Sequence, residues 1–230
     1  MKNTLTLLAI IVVTIVTGQN TVEKTIGEFQ ELKVYDLIEV ELVKSKKNKV
    51  VISGENKDDV VVINKNGKLK IRMNLEESFD GNNTSVTLYY TSVDVLDANE
   101  GAVISSKDKI KQFEIELRAQ EGGRIKVELK VQTANIKSIS GGVIETFGKT
   151  VKQEISINTG GVYKAKDLKT ETTKVVIRVA GEAHINASEL VDIRIRAGGD
   201  VFIYGNPKNV NKSRVFGGRI KNMTNKKSKM

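Results

Sequence analysis

The chain has 230 residues, enough for one substantial core or two small ones, and its 39% hydrophobic content excludes a disordered polymer. It holds no cysteine, no tryptophan and one proline, so no disulfide can staple it and packing must hold it together. Its 37 basic and 28 acidic residues give a formal net charge of +9, a surface that attracts acidic polymers: anionic polysaccharide, lipid headgroups or nucleic acid.

Residues 1–18 have the pattern of a secretory signal peptide. Lys2 is the basic start, an apolar run extends from Leu5 to Val16, and small residues lead to cleavage after Gly18. The run is too short to span a bilayer comfortably, and no later segment is apolar enough to form a second span. The mature protein is therefore expected to be exported, in the periplasm, on the cell surface or outside the cell. Without Lys2 it carries +8, and it has no cysteine to take an N-terminal lipid.

Residues 19–97 alternate apolar and polar positions in "EFQELKVYDLIEVELV", "KVVISG", "DVVVINKNGKLKIRMN" and "SVTLYYTSVDVL". This is the period of strands. Asn66-Gly67 is a hairpin turn, and "LEESFDGNN" from Leu75 to Asn83 reads as a surface loop. This region is expected to supply irregular first strands that cap one end of the fold.

Residues 98–222 repeat. Glycine pairs, or their variants, recur with the second residue at Gly101, Gly123, Gly142, Gly161, Gly181, Gly199 and Gly218. The steps are 22, 19, 19, 20, 18 and 19 residues. A period near 20 is the signature of stacked coils. Two residues after each anchor stand Val103, Ile125, Ile144, Tyr163, Ala183, Val201 and Ile220, expected inward. The next column, Ile104, Lys126, Glu145, Lys164, His184, Phe202 and Lys221, is expected outward. Six and four residues upstream, the columns Leu117, Ile136, Ile155, Val175, Ile193 and Ala119, Ser138, Ile157, Ile177, Ile195 again point inward. The prediction is an all-β parallel β-helix, or β-solenoid, with coils of about 19–20 residues. Gly123, Gly142, Gly161, Gly181, Gly199 and Gly218 form its corners, the second glycine of each pair being the stricter position. Six intervals make a stack on the order of 29 Å long. Residues 223–230 read as a disordered basic tail.

The order of these features resembles the head GIN domain family, the adhesin-like proteins common in Bacteroidetes. The resemblance rests on "F..L.V.....V.L" from Phe29 to Leu42, "V.ISG" from Val50, "GKLKIRM" from Gly67 to Met73, the stretch Thr91 to Ala102, and the serial glycine corners. It implies a secreted or envelope-exposed β-helical domain. No translocator barrel follows the repeats, so self-display on the outer membrane is not expected.

Signals of catalysis are weak. His184, the single histidine, falls in an outward column, so no catalytic residue is assigned. No metal site or cofactor is expected: there is no cysteine, no second histidine and no aspartate-rich repeat. An alternative, a polysaccharide lyase or hydrolase, would use Asp167, Glu189, Asp192 and Asp200 among Arg178, Arg194 and Arg196. A second alternative is a self-associating structural envelope protein, a homo-oligomer joined through an uncapped last coil near Gly218. The preferred reading is binding or scaffolding without catalysis, against acidic polysaccharide or another envelope component. The expected contacts are Arg118, Lys137 and Arg194 in one outward column, and Arg178 and Arg196 in the next. Nucleic acid is not expected as a partner, because the chain is exported and this face has few aromatics for base stacking.

Overall fold

The structure is a computed structural model and describes residues 21–224. The signal segment 1–18 and most of the basic tail lie outside the described residues. Seventeen strands form a β-solenoid of about seven turns. The first nine are β1 (Val22–Thr25), β2 (Glu31–Val34), β3 (Glu39–Lys44), β4 (Lys49–Gly54), β5 (Val60–Lys65), β6 (Lys68–Met73), β7 (Thr84–Tyr90), β8 (Val95–Ala98) and β9 (Val103–Ser106). The repeat region supplies β10 (Ile110–Ala119), β11 (Arg124–Ile139), β12 (Val143–Asn158), β13 (Val162–Val179), β14 (Glu182–Ala197), β15 (Asp200–Tyr204), β16 (Asn209–Phe216) and β17 (Arg219–Asn222).

From β10 onward every pairing within the repeat is parallel, and its register is the sequence period made physical. Before the glycine corner, Leu117 pairs with Ile136, Ile136 with Ile155, Ile155 with Val175 and Val175 with Ile193. After it, Ile125 pairs with Ile144, Ile144 with Tyr163, Tyr163 with Ala183 and Ala183 with Val201. All of these side chains are buried in one continuous core running from Phe29 to Ile203. Burial of aliphatic surface in register is what stabilises each coil on its neighbour.

One column starts a residue later than the sequence reading places it. Ile104, not Val103, pairs with Ile125 and is buried, while Val103 pairs with Arg124 and faces outward. The cause is Ala102, which fills the second corner position here. Gly101 therefore matches Gly122 rather than Gly123, and the true step is 21 residues.

The corner at Ser140-Gly141-Gly142 explains the glycine pair. Ser140 and Gly141 have φ of 49° and 74°, and the Gly142 amide donates to the Ile139 carbonyl at 2.9 Å. This is a tight turn with two left-handed residues. A Cβ on Gly141 would point into open space, whereas one on Gly142 would strike the Ala119 carbonyl in the adjacent coil. The first glycine supplies positive φ and the second supplies room.

The N-terminal strands stack out of sequence order. β2 lies between β6 and β8, and β3 between β7 and β9, so the first coil of the chain is inserted between later ones. Beyond them β5 runs antiparallel to β6, β4 antiparallel to β7, and β1 antiparallel to β4, which closes this end. Asn66 and Gly67, at φ of 52° and 72°, make the hairpin that joins β5 to β6.

A chain of buried hydrogen bonds crosses the middle coils. Thr146 donates to the Tyr163 hydroxyl at 2.8 Å, and Tyr163 donates to Gln153 Oε1 at 2.9 Å. Gln153 Nε2 donates to Thr173 Oγ1 at 2.9 Å, which lies 2.8 Å from Thr170 Oγ1. Thr170 donates to the Asn186 carbonyl at 2.9 Å. Each polar side chain is satisfied by the next, so the network is tolerable in an apolar core. Burial holds the Tyr163 phenol above its ordinary pKa.

Candidate functional site

The cations singled out from the sequence do share the predicted columns. Arg118 pairs in register with Lys137, Lys137 with Ser156, Ser156 with Val176 and Val176 with Arg194. Three of them, Arg118, Lys137 and Arg194, are engaged in ion pairs. Arg118 makes a two-pronged contact to Glu116 at 2.8 and 2.9 Å and reaches Glu31 at 3.2 Å, while Lys137 lies 2.7 Å from Glu116. Hydrogen bonding from Arg118 first, and from Lys137 after it, holds the Glu116 carboxyl below its usual range against the opposing effect of burial. Arg194 stands apart, beyond Ser156 and Val176, 3.4 Å from Asp192. Arg178 and Arg196 are exposed; Arg178 donates to Ser156 Oγ at 2.8 Å, and neither has a carboxylate within ion-pair distance among the described residues.

The acids named for an enzyme do not converge. Asp192 faces Arg194, Glu189 holds Lys208 at 2.8 Å, and Asp200 is clamped by Arg219. Hydrogen bonding from Arg219 keeps the Asp200 carboxyl below its ordinary value. Asp167 alone borders a recess.

A different cation row emerges on the other arm of the coils. Lys111 pairs with Lys130, Lys130 with Lys149 and Lys149 with Lys169. All four are exposed, and none has a carboxylate within 4.0 Å among the described residues. Glu128, two residues before Lys130, is occupied by Lys109 at 2.6 Å. Lys130, Lys149 and Lys169 line a groove of about 490 Å³ whose one carboxylate is Glu171. Stacked strands set such lysines about 4.8 Å apart, close enough to repel one another unless an anion lies along them. Their spacing of 19, 19 and 20 residues repeats the glycine period, the signal from which the row could have been read.

Beside this groove the stack loses its regularity. Lys164 pairs with Glu145 and with His184, but pairing resumes only at Leu168–Gly148 on one side and Lys169–Asn186 on the other. β13 thus bulges outward at Lys166 and Asp167, which the Asn186 amide pins through the Lys166 carbonyl at 2.8 Å. Bulges re-aim side chains and gather beside functional sites. This one walls a recess of about 390 Å³ lined by Glu145, Phe147, Lys164, Asp167, His184 and Tyr204. The His184 ring stacks on Phe202 at 4.6 Å and on Tyr204 at 5.9 Å. His184 Nε2 meets Glu182 and Nδ1 lies 3.2 Å from the Tyr204 hydroxyl. His184 is half-buried and fully partnered, not the free surface group that its outward column implied. The buried hydrogen-bond chain begins at Thr146 beneath the recess and ends at Thr170 beneath the lysine groove.

The model for the family described as putative auto-transporter adhesin, head GIN domain, matches residues 28–207. No curated protein matches the chain. Among solved structures, a putative adhesin from Bacteroides fragilis is similar with a TM-score of 0.81 at 17% identity, covering 90% of this chain and 98% of its own. A putative adhesin from Parabacteroides merdae gives 0.69 at 16% identity, with 90% and 97% covered. A putative lipid binding protein from Parabacteroides distasonis gives 0.64 at 19% identity, with 90% and 98% covered. At these identities the likeness is one of fold.

Proposed function

The chain belongs to the head GIN domain family of adhesin-like proteins, and from that premise we propose that it is an exported envelope protein that binds an acidic polysaccharide without cleaving it. The observation that carries the reading is the row Lys111, Lys130, Lys149 and Lys169, in register and free of ion-pair partners among the described residues. A polymer whose negative charges recur every sugar unit supplies the anions that such a row lacks. The aromatic recess next to it offers ring faces for a sugar of the same chain. Arg178 and Arg196 form a second, shorter cationic row for the same class of ligand.

The test is binding of the mature chain to a polyuronate and to its neutral counterpart at two salt concentrations. Salt-sensitive binding to the polyuronate alone is expected, weakened about tenfold or more by K130E/K149E/K169E. Equal binding to both polymers, or indifference to the triple variant, would sink the reading. One observation favours a second reading, a polysaccharide-active enzyme: Glu145, Asp167, Lys164 and His184 border one recess. Shortened polymer chains after incubation, abolished by E145Q or D167N, would replace the binding reading with that one.

A further inference from the structure

The positive charge of the chain is not spread along the stack. Residues 201–230 contain eight lysines and arginines and no aspartate or glutamate. The first 200 residues hold the other 29 basic residues and all 28 acids, a balance of +1. The excess therefore belongs to the last coil and the residues after it. Lys208, Lys212, Arg214, Arg219 and Lys221 lie within the described structure, and Lys226, Lys227 and Lys229 follow in the sequence.

The side chains of this coil depart from the repeat in two ways. First, the inward columns turn basic: Lys212 pairs with Ile193 and Arg214 with Ile195, where earlier coils place Val, Ile, Leu, Ala or Ser. Charges at inward positions stop another strand from stacking, and a second copy of the same end would set like charges against like. Second, large apolar groups stand among these cations. Phe216 is 75% exposed and Val215 64%. Val179, two coils back in the Phe216 column, is 53% exposed. Lys212, Arg214, Val215, Gly217 and Ile220 line a concavity of about 620 Å³.

A soluble polyanion would satisfy the cations and leave Phe216 and Val215 in water. A bilayer interface satisfies both, with headgroup phosphates for the cations and the acyl boundary for the apolar side chains. We propose that the C-terminal coil docks on an anionic lipid bilayer, with Lys212, Arg214 and Lys221 on the headgroups and Val215 and Phe216 at the interface. Arg219 is engaged by Asp200 and contributes less. This surface is separate from the lysine groove, and the two can fail independently.

The test is co-sedimentation of the mature chain with phosphatidylcholine vesicles, with and without phosphatidylglycerol. Binding is expected only where phosphatidylglycerol is present. It should weaken about fivefold for each of K212Q and K221Q, and again for F216S, at exposed positions that do not hold the core. K149E, in the groove, should leave vesicle binding unchanged. Because the chain has no tryptophan, F216W places a single reporter, and its emission should shift to the blue when anionic vesicles are added. No sedimentation with phosphatidylglycerol, an unshifted F216W, or binding indifferent to these variants but lost in K149E would overturn the proposal. So would loss of polyuronate binding in K212Q/K221Q by a protein that ignores vesicles, which would make the end a polyanion site.

Discussion

Glu116, Arg118 and Lys137 on one side of the stack come from β10 and β11, and Lys111, Lys130 and Lys149 on another come from those two strands and β12. On the first side an acid stands two residues from one base and one coil from the next, so charges pair within and between coils. On the second side the in-register position is lysine in every one of these coils, and Glu128, the acid nearest Lys130 in sequence, is taken by Lys109. A solenoid multiplies whatever a single coil sets on its surface. An acid within reach makes a network, and its absence makes a row of unanswered charge. The first arrangement stabilises the fold, while the second costs stability, a cost that the proposed polyanion would offset.

Both sides hang on the same corners, so the largest effect erases the comparison. Gly142→Ala places a Cβ against the Ala119 carbonyl, a backbone atom that cannot rotate away. A loss of about 3 kcal/mol or more is expected in denaturant unfolding, with both sides disordered together. Gly141→Ala, one residue earlier, meets nothing and should lose only about 1–2 kcal/mol for its left-handed backbone. Equal losses would mean that φ rather than space sets the corner.

The corners were legible because glycine and the two-residue alternation are local signals repeated at one interval. Columns such as Ile136, Ile155 and Val175 followed from counting, and their register agrees. The first corner slipped by one because Ala102 takes a glycine's place. The lysine row escaped because the bulge at Lys166 and Asp167 moves Lys169 one residue off the offset shared by Lys130 and Lys149. The recess was invisible for the same reason, since Phe147 shares it with His184 and Tyr204 only across the shifted register of β13. The insertion of β2 and β3 between later coils left no trace at all, because Leu32 finds its partners at Leu69 and Leu96, far from any common period.

A middle-sized effect separates the two sides by pH. The Glu116 carboxyl is held below its unfolded value, so its contribution is complete above the unfolded carboxylate pKa and disappears as pH falls through the lower folded one. Glu116→Gln should therefore be less stable than the parent at neutral pH, with the difference closing in acid. Denaturant midpoints for the pair across that range check it. A gap that stays constant would mean that Arg118 and Lys137 pack there without needing the charge.

The smallest effect bears on the lysine side and has the opposite sign. Lys149 has Lys130 on one neighbouring coil and Lys169 on the other, with no carboxylate within 4.0 Å among the described residues. Lys149→Met keeps the length and the apolar stem while removing the central charge of the row. Like charges directly opposite on neighbouring strands destabilise by tenths of a kcal/mol, so the variant should be about 0.2–1 kcal/mol more stable than the parent at low salt. That gain should shrink as salt rises, because exposed charges are screened. Thermal unfolding at two ionic strengths measures it, and polyuronate binding by the same variant should fall. A stabilised variant that binds less would show that the row gives up stability for its ligand. A variant that gains nothing at low salt would mean that the four lysines splay apart in water, and the case for a built anion track would fail with it.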